Sequence, residues 1–410
     1  MQAEADFEHP AIVSRAKARA ERIKAAQHTG LAPWQAIALG GFILWMLLFV
    51  NEHAGLLELP DTTLAGLELL AGLAIIQGAC EAFVQSVERI GARFHWDGFL
   101  SGTVGSIVAT LPEFVVVIFL VQVDPLAAFI TTIITIYNNG IIFSIYSFFL
   151  PKDSKGKFLM PPSLSKAGSE VLVAGGGITL IVGIVMLALR AETHKTTLTG
   201  VDLYLLGGFL IVIYGYYTHA LIKYYAEGDE HDHPAHPPDP DEVGHNPSWT
   251  GIIILMAVGA LGSYFGGEAI GAFADIALNN LGMPPIPTAS ALAFFAGVSE
   301  YIIVYKAHRR GELGIALSNT FGGMSQVLFL LLPFCLIFIA IFGAVTGNPA
   351  YALPINTSTV MLMILLFPLI YVLLQYLEDD HTLSNLDAVA MTAVYGLLLY
   401  FLFTAPPTTA

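Results

Sequence analysis

Apolar residues run in unbroken blocks along this chain, and the polar breaks between them are short. Blocks of about 18 or more apolar residues are long enough for a helix to cross a hydrocarbon core of about 30 Å. Eleven such spans are predicted, at 33–53, 63–87, 99–121, 126–150, 170–190, 201–222, 251–278, 286–305, 313–343, 357–377 and 385–404. The expected fold is an all-α polytopic membrane protein. Residues 1–30 are polar and basic with no cleavable leader, and 11–27 suit a short surface helix or a solvated tail.

Composition agrees with that pattern: 55% of the 410 residues are apolar and only 12% are charged. The net charge of −15 says little about partners, because the acids fall mostly in loops. The positions of Lys and Arg are more informative, since cytoplasmic loops carry an excess of them. With the N-terminus inside, fifteen of the seventeen basic residues fall on the cytoplasmic side, and only Arg190 and Lys195 fall outside. The C-terminus is then expected outside. Cys80 and Cys335 both lie within spans, which gives neither a disulfide framework nor zinc spacing.

Some polar residues sit inside the apolar blocks, and they repeat. Glu81, Glu88, Glu113 and Asn139 are followed 187 positions later, without a gap, by Glu268, Asp275, Glu300 and Gln326. A carboxylate within an apolar span costs about 2.5–3.5 kcal/mol on insertion scales, so such residues are rare and mark ion or proton pathways. The chain divides into one extra helix at 31–55, a first five-helix repeat at 60–223, a loop at 224–248 and a second five-helix repeat at 249–405. Five spans per repeat, an odd number, put the halves in opposite orientations, a common transporter plan with the substrate between them.

In each half a carboxylate stands beside a helix-disrupting residue. Ala-Thr-Leu-Pro-Glu at 109–113 places Pro112 next to Glu113, and Pro frees a carbonyl one turn back. Ala-Gly-Val-Ser-Glu at 296–300 puts Gly297 before Glu300. Twenty-six residues after each glutamate comes a carboxamide, Asn139 or Gln326. An amide oxygen can ligate a cation, and its NH2 can hold a carboxylate. Asn319 and Thr110 add further oxygens, and the 131–139 stretch is oxygen-bearing too.

Two glutamates meeting at the midplane would repel as anions, and either protons or one divalent cation would relieve the repulsion. Competition for one such site yields antiport if the empty, charged site cannot reorient. Six to eight flexible oxygen ligands suit calcium better than magnesium. Glu81 and Glu88, and likewise Glu268 and Asp275, are seven residues apart on one helical face. They are candidates for a proton relay, although Glu88 beside Arg89 also reads as a solvated acid. The 224–248 loop is acidic and rich in His and Pro, with His231, His233 and His236 as weak divalent-metal candidates or parts of a solvated linker.

These motifs resemble the calcium/cation antiporter superfamily over most of residues 60–405. Thr-Leu-Pro-Glu at 110–113 looks like the first alpha-repeat signature. Gly-Val-Ser-Glu at 297–300, with Gly-Gly-Met-Ser-Gln at 322–326 and Pro333, is similar to its proton-coupled cation exchanger branch. That branch also has an extra N-terminal helix and an acidic inter-repeat loop. Thr110 and Val298 depart from its usual Gly-Asn-Ala-x-Glu pattern, and Gly323 and Met324 stand where sodium-coupled members present Ser and Asn. The resemblance implies an antiporter moving calcium or another small cation against protons.

The alternatives are a sodium/calcium exchanger or a sodium/proton antiporter of the same superfamily, and less readily a cation channel or a membrane-embedded enzyme. No His-Glu-x-x-His motif and no Gly-rich nucleotide loop supports an enzyme. The expected partners are inorganic cations, protons and the lipid bilayer, with no cofactor and no nucleic acid. A bacterial inner membrane is the expected location, and the oligomeric state is left open.

Overall fold

The computed structural model describes residues 31–94, 104–105, 107–160, 169–227, 247–310, 313–378 and 381–404. Thirteen helices dominate it. The extra helix is α1, Pro33–Ala54. The first half continues with α2 (Asp61–Phe94), α3 (Leu111–Val123), α4 (Pro125–Tyr146), α5 (Ser169–Thr193) and α6 (Gly200–Glu227). The second half holds α7 (Trp249–Asp275), α8 (Pro285–Ala296), α9 (Val298–Arg310), α10 (Leu313–Gln326), α11 (Leu332–Thr346), α12 (Thr357–Glu378) and α13 (Asn385–Thr404).

Helix ends follow local chemistry. The side chain of Asp124 caps α4 by accepting from the Leu126 amide at 2.8 Å, with Pro125 in the first turn, where its missing N–H costs nothing. Ser248 caps α7 in the same way. Helix α1 stops at Gly55, whose φ of 60° is the left-handed conformation that closes a helix.

The 187-residue register extends to element boundaries: α3 and α9 differ by that offset at both ends. Helix α2 corresponds to α7 with the π-helical turn Ile276–Asn280 that extends it, and α5 corresponds to α12. These counterparts pack on each other, α2 along α7 and α5 along α12, while α4 contacts α8 and α10 and α6 contacts α11. Helix α1 lies mainly on α2.

Among the described residues, nine helices are long and apolar enough to cross a membrane, and Ile107–Val123 and Asn385–Phe401 are shorter apolar helices. Together they occupy the eleven spans read from the sequence. The chain is a helical, multi-pass integral membrane protein. Its outer faces suit lipid: on α6 the exposed side chains Val201, Leu205, Phe209 and Val212 form an apolar stripe. Helix α4 is the reverse case, buried at every residue from Ala127 to Gly140. It forms the axis of the core.

The spans differ in detail from uniform 20-residue rods. Helix α2 has 34 residues, about 50 Å at 1.5 Å per residue, and must tilt to fit a hydrocarbon core of about 30 Å. The third span breaks at Thr110 and the eighth at Gly297. The ninth is interrupted by a π-helical turn at Val327–Leu331 just before Pro333, whose missing N–H disturbs the ladder.

Two small antiparallel sheets tie the loops. Lys157–Leu159 (β1) pairs with Thr382–Ser384 (β4), and Thr197–Leu198 (β2) pairs with Leu353–Pro354 (β3). Paired strands must lie on one side of the bilayer. The span count meets this requirement: six spans separate β1 from β4 and four separate β2 from β3, even numbers in both cases.

Candidate functional site

The two helix breaks bring the site together. At the first, Pro112 has no amide hydrogen to donate, and the Glu113 amide bonds back to the Thr110 carbonyl at 3.0 Å. That tightened turn releases the Ala109 carbonyl, which accepts the Cys80 thiol from α2 at 3.5 Å. Glu113 thereby sits in the first turn of α3, 6% exposed, with its Oε2 lacking a hydrogen-bond partner. At the second break, Gly297 ends α8 and Glu300 enters the first turn of α9.

The two carboxylates are close enough for their charges to interact. Each stands near a helix N-terminus, where the backbone dipole favours negative charge. Neutral oxygen and nitrogen groups surround them. Asn139 on α4 stands against Glu300. Gly323 on α10 leaves room for this approach: a Cβ there would lie 2.8 Å from Asn139 Nδ2 and 3.2 Å from Glu300 Oε2. Asn319 donates its side-chain amide to the Glu300 carbonyl at 3.3 Å. Across the site, Thr110 donates its hydroxyl to Gln326 Oε1 at 3.2 Å. Each carboxamide therefore reaches the broken helix of the opposite half.

Beside Glu113 is a cavity of about 20 Å³, lined also by Thr131, Thr132 and Thr135 of α4 and by Ala296. It is sized for one water or one small ion. The hydroxyls of Thr132 and Thr135 bond the carbonyls one turn back, at 2.9 Å each, whereas the buried Thr131 hydroxyl has no partner. A larger open hollow of about 410 Å³ lies among Phe83, Leu111, Phe114 and Phe334. Its lining is apolar apart from Ser263, whose hydroxyl donates to the Gly259 carbonyl at 2.7 Å, and it holds no carboxylate.

Of the six residues expected at the centre, Glu113, Glu300, Asn139 and Asn319 are brought together from α3, α4, α9 and α10, and Thr110 and Gln326 pair with each other at the break that precedes Glu113. The four relay candidates are dispersed. Glu81 accepts from Gln85 at 3.3 Å, and Glu88 is exposed further along α2. Asp275 is exposed at the end of α7 and accepts from Asn279 at 2.6 Å, and Glu268 accepts the Trp45 indole of α1. His231, His233 and His236 lie outside the described residues. Among the described residues, no group of three or more His, Cys, Asp and Glu is placed to hold a metal ion. A cation at the centre would use two carboxylates and neutral oxygens.

Two contributors escape a reading by register. Tyr301 follows Glu300 and lies near both glutamates, with its hydroxyl unpartnered, but a tyrosine in an apolar span carries no signal of its own. Gly323 acts through the side chain it lacks.

Residues 250–404 match the family model described as sodium/calcium exchanger protein. The whole fold is similar to that of a crystal structure of the H+/Ca2+ exchanger CAX, with a TM-score of 0.63 and 12% identity over 89% of this chain and 90% of that one. It is also similar to structures of the sodium-calcium exchanger NCX_Mj. One has a TM-score of 0.51 and 18% identity over 83% of this chain and 99% of that chain, and another 0.50 and 17% over 82% and 98%. At such identities the structural likeness is one of fold. No curated protein sequence matches this chain.

Proposed function

We propose that the chain is a member of the calcium/cation antiporter superfamily that exchanges calcium for protons at the centre formed by Glu113 and Glu300. It is a transporter of the exchanger type and not an enzyme. The observation that carries the finer reading is the approach of two carboxylates, from helix breaks 187 residues apart in register, with a cavity of one-ion size beside Glu113.

Glu113 and Glu300 alternately take the cation or protons. Two buried anions without a counter-charge are unfavourable, so the site is held either by a divalent ion or by protons. Asn139, Gln326, Asn319, Thr110 and the hydroxyl of Thr131 complete the oxygen shell that calcium accepts. Rocking of one helix group against the other exposes the site to each side in turn, and the empty, doubly charged centre does not reorient. This obligatory occupancy couples the two fluxes.

Protons are favoured over sodium by a local feature. Gly323 faces Asn139 and Glu300 and brings no oxygen, and the cavity offers room for a single ion. Several sodium ions would need more ligands than this. The second reading, a sodium-coupled calcium exchanger, is favoured by the family model over 250–404. The orientation we propose is N-terminus cytoplasmic and C-terminus outside, in a bacterial inner membrane.

The test is proton movement in proteoliposomes with an imposed pH gradient, adding calcium, magnesium, sodium or potassium in turn. Calcium should dissipate the gradient through the unaltered protein and not through Glu300→Gln. Calcium flux driven by a sodium gradient, with no proton movement, would replace the proton reading by the sodium one.

A further inference from the structure

A second pair of carboxylates lies apart from Glu113 and Glu300, where α1, α2 and α7 meet. Glu68 of α2 is 8% exposed, and its Oε2 has no hydrogen-bond partner. Gly72, one turn further along α2, brings two backbones together. A Cβ there would stand 3.1 Å from the Gly266 carbonyl oxygen and 3.2 Å from the Ile270 nitrogen, the residues flanking Glu268 on α7. Across this contact the charge of Glu268 acts on Glu68.

Helix α1 closes the seam. The Trp45 indole donates to Glu268 and packs on Phe265 with ring centroids 4.8 Å apart, while Phe42 meets the same ring at 5.3 Å. Ala71, Ile75 and Ala269 complete a buried apolar wall with Trp45. The charged groups that act on the pair are acidic: Glu268 and Glu52 on Glu68, and Glu52 on Glu268. His53, the basic residue in the last turn of α1, is engaged with the Phe49 carbonyl at 2.9 Å.

Glu268 is half-buried, and an ionised Glu68 facing it from the buried side of the seam would be an uncompensated charge. A calcium ion takes six to eight oxygens, and apart from the carboxylates this seam offers aromatic faces, aliphatic side chains, an N–H and backbone carbonyls within helices, too few free oxygens for a hard cation. A proton needs one acceptor, and Glu68 Oε2 is a buried oxygen without a partner. We infer that Glu68 and Glu268 hold one proton between them as a carboxyl–carboxylate pair, forming a proton-binding site separate from the central glutamates. The site joins the extra helix α1 to the seam between the two long counterpart helices. Its position explains why the repeat conceals it: the position 187 residues after Glu68 is Leu255.

Trp45 is the natural reporter, because a protonated carboxyl quenches indole emission more strongly than a carboxylate does. In the full chain with Trp34, Trp96 and Trp249 changed to Phe, Trp45 emission should show one transition with pH. That transition should be lost in Glu268→Gln, moved to lower pH in Glu68→Gln, and unmoved by saturating calcium. A transition of unchanged midpoint in Glu68→Gln would overturn the shared proton, and a calcium-dependent shift of the midpoint would overturn the choice of proton over cation. Should either Gln variant fail to fold, the protein carrying both acids still decides: emission independent of pH overturns the proposal. The readout requires no transport, so it holds or fails independently of calcium/proton exchange.

Discussion

The hydroxyl of Thr110, at the break in the first half, donates to Gln326 Oε1 of the second half at 3.2 Å across 216 positions of sequence. Both residues are buried, at 3% and 8% exposure, so this bond fastens the two halves beside the glutamates without a charge. A buried neutral hydrogen bond contributes about 0.5–1.5 kcal/mol net. Thr110→Val and Gln326→Leu should each lower the melting temperature of the purified protein. A double-mutant cycle should return a coupling of about 1 kcal/mol, and additive effects would show that the bond carries no coupling.

Gly323→Ala tests the close approach of Asn139 and Glu300. The new methyl would meet the ends of two side chains and no backbone, so the site shifts while the fold survives. Calcium uptake should show a KM raised about tenfold, equivalent to about 1.4 kcal/mol, with melting unchanged to within a few degrees. A large loss of stability with unaltered KM would locate the constraint elsewhere.

The proposed competition between calcium and protons has a sign that can be measured. Metal binding to protonatable ligands releases protons, so apparent calcium affinity falls as pH falls. The limiting slope is about tenfold per pH unit for one displaced proton and about a hundredfold for two. Calcium KM measured across pH in proteoliposomes gives the slope directly, and a flat profile argues for sodium coupling.

A separate pH effect belongs to the loop after α4. The Asp153 carboxylate accepts from the amides of Lys157 and Lys155 at 2.9 and 2.8 Å, and these bonds, the Lys157 one foremost, hold its pKa below the ordinary value. A group whose pKa is depressed on folding stabilises above its unfolded value and loses that contribution as pH falls through the folded one. Hydrogen exchange at these two amides should therefore accelerate, relative to neighbouring loops, only below the usual aspartate range. Asp153→Asn should show the acid behaviour already at neutral pH. The strand pairing of Lys157–Leu159 with Thr382–Ser384 should loosen with it.

Much of this protein is legible in one dimension. Spans are set by the match between apolar run length and bilayer thickness, and that match needs no tertiary information. Register is also one-dimensional: the 187-residue offset pairs Glu113 with Glu300 and Asn139 with Gln326, and it reappears in the ends of α3 and α9. The helix breaks follow from Pro112 and Gly297, whose backbone chemistry is local.

Packing decided the rest. That Asn139 faces Glu300 and Gln326 faces Thr110, each across to the opposite half, depends on how the four helices converge. Gly323 and Tyr301 matter only through what stands beside them. Glu68 has an apolar counterpart in the repeat, and only the close approach of α2 to α7 under Trp45 brings it within reach of the charge of Glu268. Periodicity records which residues face protein or lipid, whereas the pairing of two buried polar atoms depends on helix crossing and rotation, which arise from side-chain contacts summed over the whole fold.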